Sequence, residues 1–137
     1  MKSPDSTIRT SIYNAIGAIT YSGSTVTLLS GIPENPTYPY ILIANQSNSE
    51  TQNKDPYFFD HDVLIEVVTG FVGGSASKGP ADTISNDITQ AMVNIVGDST
   101  FKIEGVRLDF TDYLIDDDGR YKIIRKLMRF NLQLQQI

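Results

Sequence analysis

The single histidine of this sequence, His61, is the side chain best suited to acid–base or metal chemistry near neutral pH. It lies in residues 57–69, where every second residue is apolar, and it falls on the apolar side together with Val63. Asp60 and Asp62 fall on the opposite side. A metal or catalytic role requires partners at a recognisable spacing, and the sequence supplies none. We therefore interpret His61 as a hydrogen-bonded histidine near the beginning of a strand.

Aspartates form the most conspicuous charged group of the chain: Asp109, Asp112, Asp116, Asp117 and Asp118. A calcium-binding EF-hand loop requires carboxylates at alternating positions, glycine at the sixth position and glutamate at the twelfth. The run Asp-Asp-Asp-Gly at 116–119 does not have this arrangement, so we interpret it as a solvated turn. The chain also contains no Gly-x-Ser-x-Gly motif. We predict no metal, no cofactor and no enzymatic activity.

The glycine-rich residues 70–80 superficially resemble a phosphate-binding loop. The Walker pattern requires Gly-Lys-Ser/Thr, but here Pro80 and Ala81 follow Gly79. Proline also removes a backbone N–H where a phosphate would need a donor. We therefore reject nucleotide binding at this loop. Because Phe71 and Val72 are expected to be exposed in it, we predict that the loop contacts a neighbouring chain.

The composition is that of an ordinary globular domain. Hydrophobic residues make up 40% and charged residues 20% of the 137 residues, which suits a single domain spanning residues 1–137. Cysteine is absent, so disulfides and thiolate ligands are excluded. No segment approaches the ~20 apolar residues of a membrane span, and no secretory signal pattern is present. We expect an intracellular protein with no membrane partner.

The charge balance argues against general nucleic-acid binding. The formal net charge is −5, whereas affinity for nucleic acid comes largely from lysine and arginine. The one basic group lies in the last strand and consists of Arg120, Lys122, Arg125, Lys126 and Arg129. We interpret this group as the solvated face of a sheet. The acidic balance better suits DNA that passes nearby without adhering.

Two segments have the apolar spacing of amphipathic helices. Residues 4–19 follow Ser3 as a possible N-cap and carry an apolar stripe that begins at Ile8. Residues 80–96 carry a similar stripe, have Asp82 in the first turn, and are followed by Gly97 as a possible C-terminal cap. We expect both helices to cover the same face of a sheet, leaving its opposite face for another layer or subunit.

Several segments between the helices have strand character. Residues 20–29 are β-branched but interrupted at Ser22-Gly23-Ser24, and residues 31–39 form a loop with three prolines. Residues 40–44 are apolar on both faces, which is typical of an inner strand. Residues 45–56 contain no large apolar side chain, so we expect a polar, mobile excursion before the strand at 57–69.

The C-terminal part predicts a long β-hairpin. Residues 101–115 and 120–137 alternate apolar and polar side chains, and Asp118-Gly119 between them is a strong hairpin signal. The alternation slips at Arg125 and Lys126, which predicts a β-bulge or bend there. Arms this long would extend beyond a small sheet, and exposed strand edges aggregate unless another chain pairs with them. The hairpin therefore favours an oligomer.

The predicted fold class is α+β. It consists of an antiparallel sheet of about four to five strands, two helices packed on one face, and the long C-terminal hairpin. Two functional classes agree with it. One is a self-associating structural subunit, and the other is a small-ligand module or enzyme with His61 and nearby carboxylates in a pocket.

The order of these elements resembles the tail-completion or tail-terminator (neck) proteins of long-tailed bacteriophages. The matching features are the opening helix from Ile8 to Ile19, the segment Pro-Thr-Tyr-Pro-Tyr-Ile-Leu-Ile at 36–43, the strand at 62–68, the loop and helix at 70–96, and the final hairpin. Family members often carry a tryptophan near the middle strand and a shorter loop before it. This chain has no tryptophan, and its polar segment at 45–56 is longer.

The resemblance implies a virion subunit assembled in the bacterial cytoplasm into a ring, typically sixfold, that ends tail-tube growth. The implied partners are further copies of the chain, the tail tube protein and the head connector or stopper protein, with double-stranded DNA passing through the lumen. A head-completion or other connector ring is the alternative. The candidate assembly-interface residues are Lys54, Tyr57, Phe58, Phe71, Val72, Arg125 and Arg129. The candidate lumen-facing acidic tip is Asp116, Asp117 and Asp118.

Overall fold

The computed structural model describes residues 3–50, 58–73 and 75–137. They form two helices and seven strands in the following order: α1 (Asp5–Ile16), β1 (Thr20–Tyr21), β2 (Ser24–Thr25), β3 (Thr27–Leu29), β4 (Tyr40–Glu50), β5 (Phe58–Val72), α2 (Gly79–Met92), β6 (Phe101–Asp117) and β7 (Tyr121–Gln136). The predicted α+β class is confirmed.

The main sheet has five strands in the order β3-β4-β5-β7-β6, and β1 and β2 form a separate two-stranded hairpin. Every neighbouring pair in the main sheet is antiparallel except β3 and β4, which are parallel. The predicted antiparallel sheet of four to five strands is confirmed, with one parallel pair at this edge. The proline-containing segment 30–39 returns the chain so that β4 begins beside β3 and runs in the same direction.

Both helices cover one face of the sheet, as predicted. The apolar stripe of α1, with Ile8, Ile12 and Ile16, packs into the same core as Ile84 and Ile88 of α2. The sheet contributes alternate residues to this core because side chains of a strand point to opposite faces. From β5 they are Phe59, Val63, Ile65 and Val67, and from β7 they are Met128, Phe130, Leu132 and Leu134.

A second, smaller cluster lies on the helix-free face of the sheet. Its buried members are Tyr40, Leu42, Val68 and Ile123, and Leu29, Tyr38 and Tyr121 pack against it. This cluster explains why β4 begins with a run that is apolar on both faces, as an inner strand requires. It also explains the slip in β7, where the adjacent residues Ile123 and Ile124 are both buried, one on each face.

The predicted bulge at Arg125 and Lys126 is wrong, since β7 pairs with β5 in one continuous register across both residues. The register shifts lie instead in β6, between Ile103 and Gly105 and between Leu108 and Phe110. Burial on both faces of β7 therefore produces the same sequence signal as a bulge would. The hairpin itself is confirmed, and Gly119 adopts φ +89° at its turn.

Both predicted helices are shorter in the structure than in the sequence pattern. α1 ends at Ile16, and Ile19 turns back to donate its backbone N–H to the Ile16 carbonyl. α2 ends at Met92, with Val93 at its C-cap, so Gly97 is not the cap. Instead, a Cβ at Gly97 would lie 2.0 Å from the Phe101 carbonyl oxygen, so only glycine fits this close approach.

The structure differs most clearly from the predicted elements at residues 45–50. Instead of opening a polar loop, they continue β4, paired with β5 from Asn45 opposite Leu64 to Glu50 opposite Phe59. A register shift between Ile43 and Asn45 precedes this stretch. Low apolar content misled the prediction because this stretch of strand is held by backbone pairing to β5 and by part-buried side-chain hydrogen bonds.

Candidate assembly surface

The outer strand β6 carries the largest group of exposed apolar side chains on the sheet. It pairs with β7 on one side, and no strand of the described residues pairs with its other side. Its exposed apolar side chains are Leu108, Phe110, Leu114 and Ile115. A long edge with exposed apolar residues offers both unpaired backbone groups and contact area to another chain.

Two predicted interface residues, Arg125 and Arg129, lie on the helix-free face beside this strand. The Arg129 guanidinium lies 4.6 Å from the centre of the Phe110 ring. Arg125 lies between two acids, with its Nη1 3.8 Å from Glu66 and its Nε 3.5 Å from Asp116. Both arginines are therefore held by neighbours within the chain, at the boundary between the sheet and the exposed strand.

The predicted acidic tip lies at the turn between β6 and β7, and its three aspartates are exposed. Asp117 accepts a backbone hydrogen bond from Gly119 at 2.9 Å. Asp118 accepts backbone hydrogen bonds from Tyr121 and Arg120, and these bonds lower the pKa of its carboxyl group. In the part of the chain described, no group of three potential ligands could hold a metal ion. The tip carboxylates thus stabilise the hairpin turn.

The other predicted interface residues that the structure describes are not brought together. Phe71 and Val72 are the last two residues of β5 and pair with Lys122 and Tyr121, so their assignment to a loop is wrong. Phe71 is half-buried, whereas Val72 is 70% exposed. Phe58 begins the same strand at its opposite end. The candidates Lys54 and Tyr57 lie outside the described residues.

His61 is buried, as the alternation predicted, and both of its ring nitrogens have partners. Its Nε2 lies 3.2 Å from the side-chain nitrogen of Gln46, and its Nδ1 bonds the Asn48 side-chain oxygen. Gln46 also donates to the Asp5 carbonyl at 3.1 Å and accepts from Arg9 Nε at 3.0 Å. Asn48 donates in turn to the Asp5 carboxylate. This network connects the beginning of α1 to β4 and β5.

The electrostatics of His61 favour its neutral form. Burial lowers the pKa of the imidazole below its ordinary value of 6.5, and Arg9 acts in the same direction, whereas Asp5 and Asp62 oppose the shift. No buried side-chain polar atom of the described residues lacks a hydrogen-bond partner. A neutral, enclosed histidine with both nitrogens engaged acts as a structural element.

A second polar cluster joins α2 to the sheet, and the sequence analysis did not predict it. Lys126 Nζ donates to the Asp82 carboxylate at 2.9 Å, and the Tyr113 hydroxyl donates to the same carboxylate. Both bonds lower the pKa of Asp82, and the bond from Tyr113 has the larger effect. Lys126 and Tyr113 are opposite each other across β6 and β7, which explains why their side chains meet.

The exposed apolar side chains of β6 were also missed as candidates. Their signal was present, since the residues from Gly105 to Ile115 contain apolar side chains of both parities, which one buried face cannot accommodate. The polar network around His61 carried no such signal. Its members are widely separated in sequence, and only the pairing of β4 with β5 brings Gln46 and Asn48 to His61.

Comparison with known proteins shows that this chain shares its fold with a solved structure. No protein-family model and no curated protein sequence matches this chain. A solved chain described as "Virion of native gene transfer agent (GTA) particle" matches with a TM-score of 0.75 and 13% sequence identity. The match covers 98% of this chain and 99% of the other chain. The two chains therefore share one fold from end to end. In the described residues, no helix has the length and apolar character needed to cross a membrane.

Proposed function

We propose that this protein is a structural subunit of a phage-like virion and acts through assembly without catalytic turnover. The observation that carries the proposal is the end-to-end fold match with a chain of a gene transfer agent virion. At 13% identity that match establishes the fold, and the virion role is the inference drawn from it. The exposed apolar residues of β6 support it, because a subunit needs a surface for its neighbours.

Within the virion, we propose the head–tail junction as the position of this chain. There it forms a ring, with six subunits as the expected order, that ends the tail tube and joins it to the head connector or stopper protein. The support is the resemblance of the element order to tail-terminator proteins, together with the net charge of −5, which suits a channel that must not retain DNA. A head-completion ring is the neighbouring alternative.

The proposed lumen-facing element is the hairpin tip with Asp116, Asp117 and Asp118. Its support is the position of the tip at the end of the longest strand pair and its exposed negative charge. Like charge between the tip and DNA phosphates would prevent adhesion during passage. We propose no metal or cofactor for this position, since the carboxylates of Asp117 and Asp118 bond their own backbone.

The alternative of a small-ligand module centred on His61 has less support. The imidazole is fully enclosed and both of its nitrogens are engaged, so a ligand would have to displace existing partners. A pocket residue would instead present an unsatisfied group to an open cavity.

The test of this function is the mass of the purified protein over a wide concentration range, by light scattering and native mass spectrometry. We expect a species of several subunits whose population rises with concentration, and ring-shaped particles in electron micrographs. A strictly monomeric protein at every concentration, with no copies recovered from purified virions, would contradict the proposal.

A further inference from the structure

The sheet has a second open edge, and it lies on β4. β3 pairs with β4 only from Tyr40 to Leu42, although β4 continues to Glu50. On the side away from β5, no described strand accompanies β4 beyond Leu42. The five-stranded sheet therefore ends in β6 on one side and, on the other, in the part of β4 that β3 does not cover.

A groove marks the place where β3 stops. It has a volume of about 450 Å³ and is lined by Asp5, Arg9, Ser30 and the residues from Ile43 to Gln46 of β4. Arg9 is fixed there by its hydrogen bond to Gln46 at 3.0 Å. The groove continues the line of β3 along β4, which leaves room for an extended segment to pair with the open edge.

The two open edges are matched in direction. In one subunit β4 and β6 run antiparallel to each other, because each successive neighbour from β4 through β5 and β7 to β6 is antiparallel. A second copy placed beside the first in the same orientation therefore sets its β6 antiparallel against β4, with the helices of both copies on the same side. Such a head-to-tail contact is heterologous and can close into a ring.

Each open edge also has an uninterrupted stretch of at least six residues. The register shift in β4 leaves residues 45–50 in continuous pairing, and the second shift in β6 leaves residues 110–117 continuous. Bulges interrupt an edge, so these uninterrupted stretches are the parts best able to accept a new ladder.

Side-chain chemistry selects this pairing over pairing of β6 with itself. On the helix-free face, residues 110–117 present the exposed carboxylates of Asp112 and Asp116 in alternation with the exposed apolar side chains of Phe110 and Leu114. On that face of β4, residues 45–50 present amide and hydroxyl donors: Asn45, Ser47 and Ser49. Donors opposite carboxylates form hydrogen bonds, whereas two β6 strands side by side would bring carboxylates together, which is destabilising. The single acid on this stretch of β4, Glu50, points to the other face.

We propose that residues 45–50 of β4 receive residues 110–117 of β6 from a second copy of the chain, so that the sheets of adjacent subunits join head to tail. The inference rests on the proposed function and specifies the subunit contact that function requires. It assigns the exposed Phe110, Leu114 and Ile115 to the contact, and it identifies the polar end of β4 as their receptor.

The test uses the absence of cysteine, which makes any introduced thiol unique. Ser47→Cys and Asp112→Cys are prepared separately, and both positions are exposed. After mixing under assembly conditions, a short bismaleimide should cross-link the two variants into a covalent dimer, whereas each variant alone should give none. The double variant should give a ladder of covalent oligomers that ends at the ring order.

Charge substitutions test the same contact through the strength of association. Ser47→Asp together with Ser49→Asp should weaken association about tenfold, because one new carboxylate then lies opposite Asp112 of the neighbouring copy and the other lies diagonally across from it. The new acids also lie opposite Asp62 and Asp60 of their own β5, so the deciding measurement is the rescue by a compensating charge. Asp112→Lys in the same chain should restore most of the loss. The matched control, Thr25→Asp, adds an acid at an exposed position of the separate small hairpin and should leave association unchanged.

The outcomes separate this inference from the proposed function. If the chain assembles but only Asp112→Cys cross-links, with itself, the copies pair through β6 and the inference is wrong while the function stands. Assembly with no cross-link in the mixture likewise overturns the edge pairing alone. If the chain never assembles in solution and is absent from particles, both fail together.

Discussion

His61 Nε2 lies 3.2 Å from the side-chain nitrogen of Gln46, and this contact determines the tautomer of the imidazole. Gln46 uses its oxygen to accept from Arg9, so its nitrogen must donate to Nε2. The proton of the neutral ring is therefore on Nδ1, where it is donated to the Asn48 side-chain oxygen. The histidine thereby acts as a fixed connection between α1 and the sheet.

Replacing this histidine should destabilise the fold. His61→Ala removes a fully buried side chain, leaves a cavity, and takes one hydrogen-bond partner each from the side chains of Gln46 and Asn48, so we expect a loss of about 2–4 kcal/mol in the free energy of unfolding. Urea denaturation measures it. The matched control, Ser49→Ala, changes an exposed side chain of the neighbouring strand and should cost less than about 0.5 kcal/mol. A loss for His61→Ala no larger than for the control would contradict the structural role.

The same residue should make stability depend on pH. Burial lowers the pKa of His61 in the folded state below 6.5, so the unfolded chain takes up a proton first as the pH falls. Above the unfolded pKa, both states are neutral and His61 contributes no pH dependence. Below it, the free energy of unfolding should fall, until the pH reaches the folded pKa.

The measurement is a series of urea midpoints between about pH 7.5 and pH 5 for the wild type and His61→Gln. His61→Gln has no titrating group at this position, so its curve should be flatter over that interval. Parallel curves for the two proteins would show that His61 does not titrate differently in the folded and unfolded states.

The cluster at the start of α2 predicts a shifted carboxyl titration. The Tyr113 hydroxyl is the larger of the two hydrogen bonds that lower the pKa of Asp82 below 3.8. Tyr113→Phe should therefore raise the pKa of Asp82 towards that ordinary value, as measured by NMR titration of the side-chain carboxyl carbon. Tyr13→Phe, on the partly exposed face of α1, is the matched control and should leave the titration unchanged. An unshifted Asp82 in Tyr113→Phe would mean that the bond is not formed in solution.

Substitution by alanine should destabilise the protein at Gly70 but not at Gly31. A Cβ at Gly70 would lie 2.5 Å from Cδ2 of Tyr38, whose ring packs against Tyr40 and Tyr121. Gly70→Ala must displace that ring, and we expect a loss of about 1–3 kcal/mol in the free energy of unfolding.

Gly31 provides the contrast, because nothing lies within 4 Å of a Cβ at that position. Gly31→Ala should be neutral or stabilising by up to about 1 kcal/mol, since it restricts the unfolded chain. Equal effects of the two substitutions in thermal or urea denaturation would contradict the close contact between Gly70 and Tyr38.

The sequence predicted most elements of this fold, because their apolar spacing is regular. The stripes of α1 and α2 and the alternation of β5 each match one buried face, and the face of His61 followed from the same alternation. Prediction failed where a strand has no apolar spacing, or where its apolar residues are buried on both faces. Residues 45–50 are held by strand pairing and part-buried hydrogen bonds, which leave no apolar pattern. Ile123 and Ile124 are buried on different faces of β7.

The candidate assembly surface was predicted less completely for a similar reason. Arg125 and Asp116 were assigned separate roles, at an interface and at a lumen, but register places them on one face, 3.5 Å apart. Contacts between side chains on different strands depend on register, which the apolar pattern and the turn geometry set together. Residue types taken one at a time therefore do not show that Arg125 and Asp116 meet across the hairpin. The open edge of β4 depends on where β3 stops, which no local pattern indicates.

Electron microscopy of purified particles is the decisive measurement of whether this chain is a virion subunit that works as a ring. We expect density for this fold repeated around the tail axis, between the tail tube and the head connector, with β6 of each copy beside β4 of the next. Particles without this chain, or with isolated copies that make no contact with one another, would contradict it.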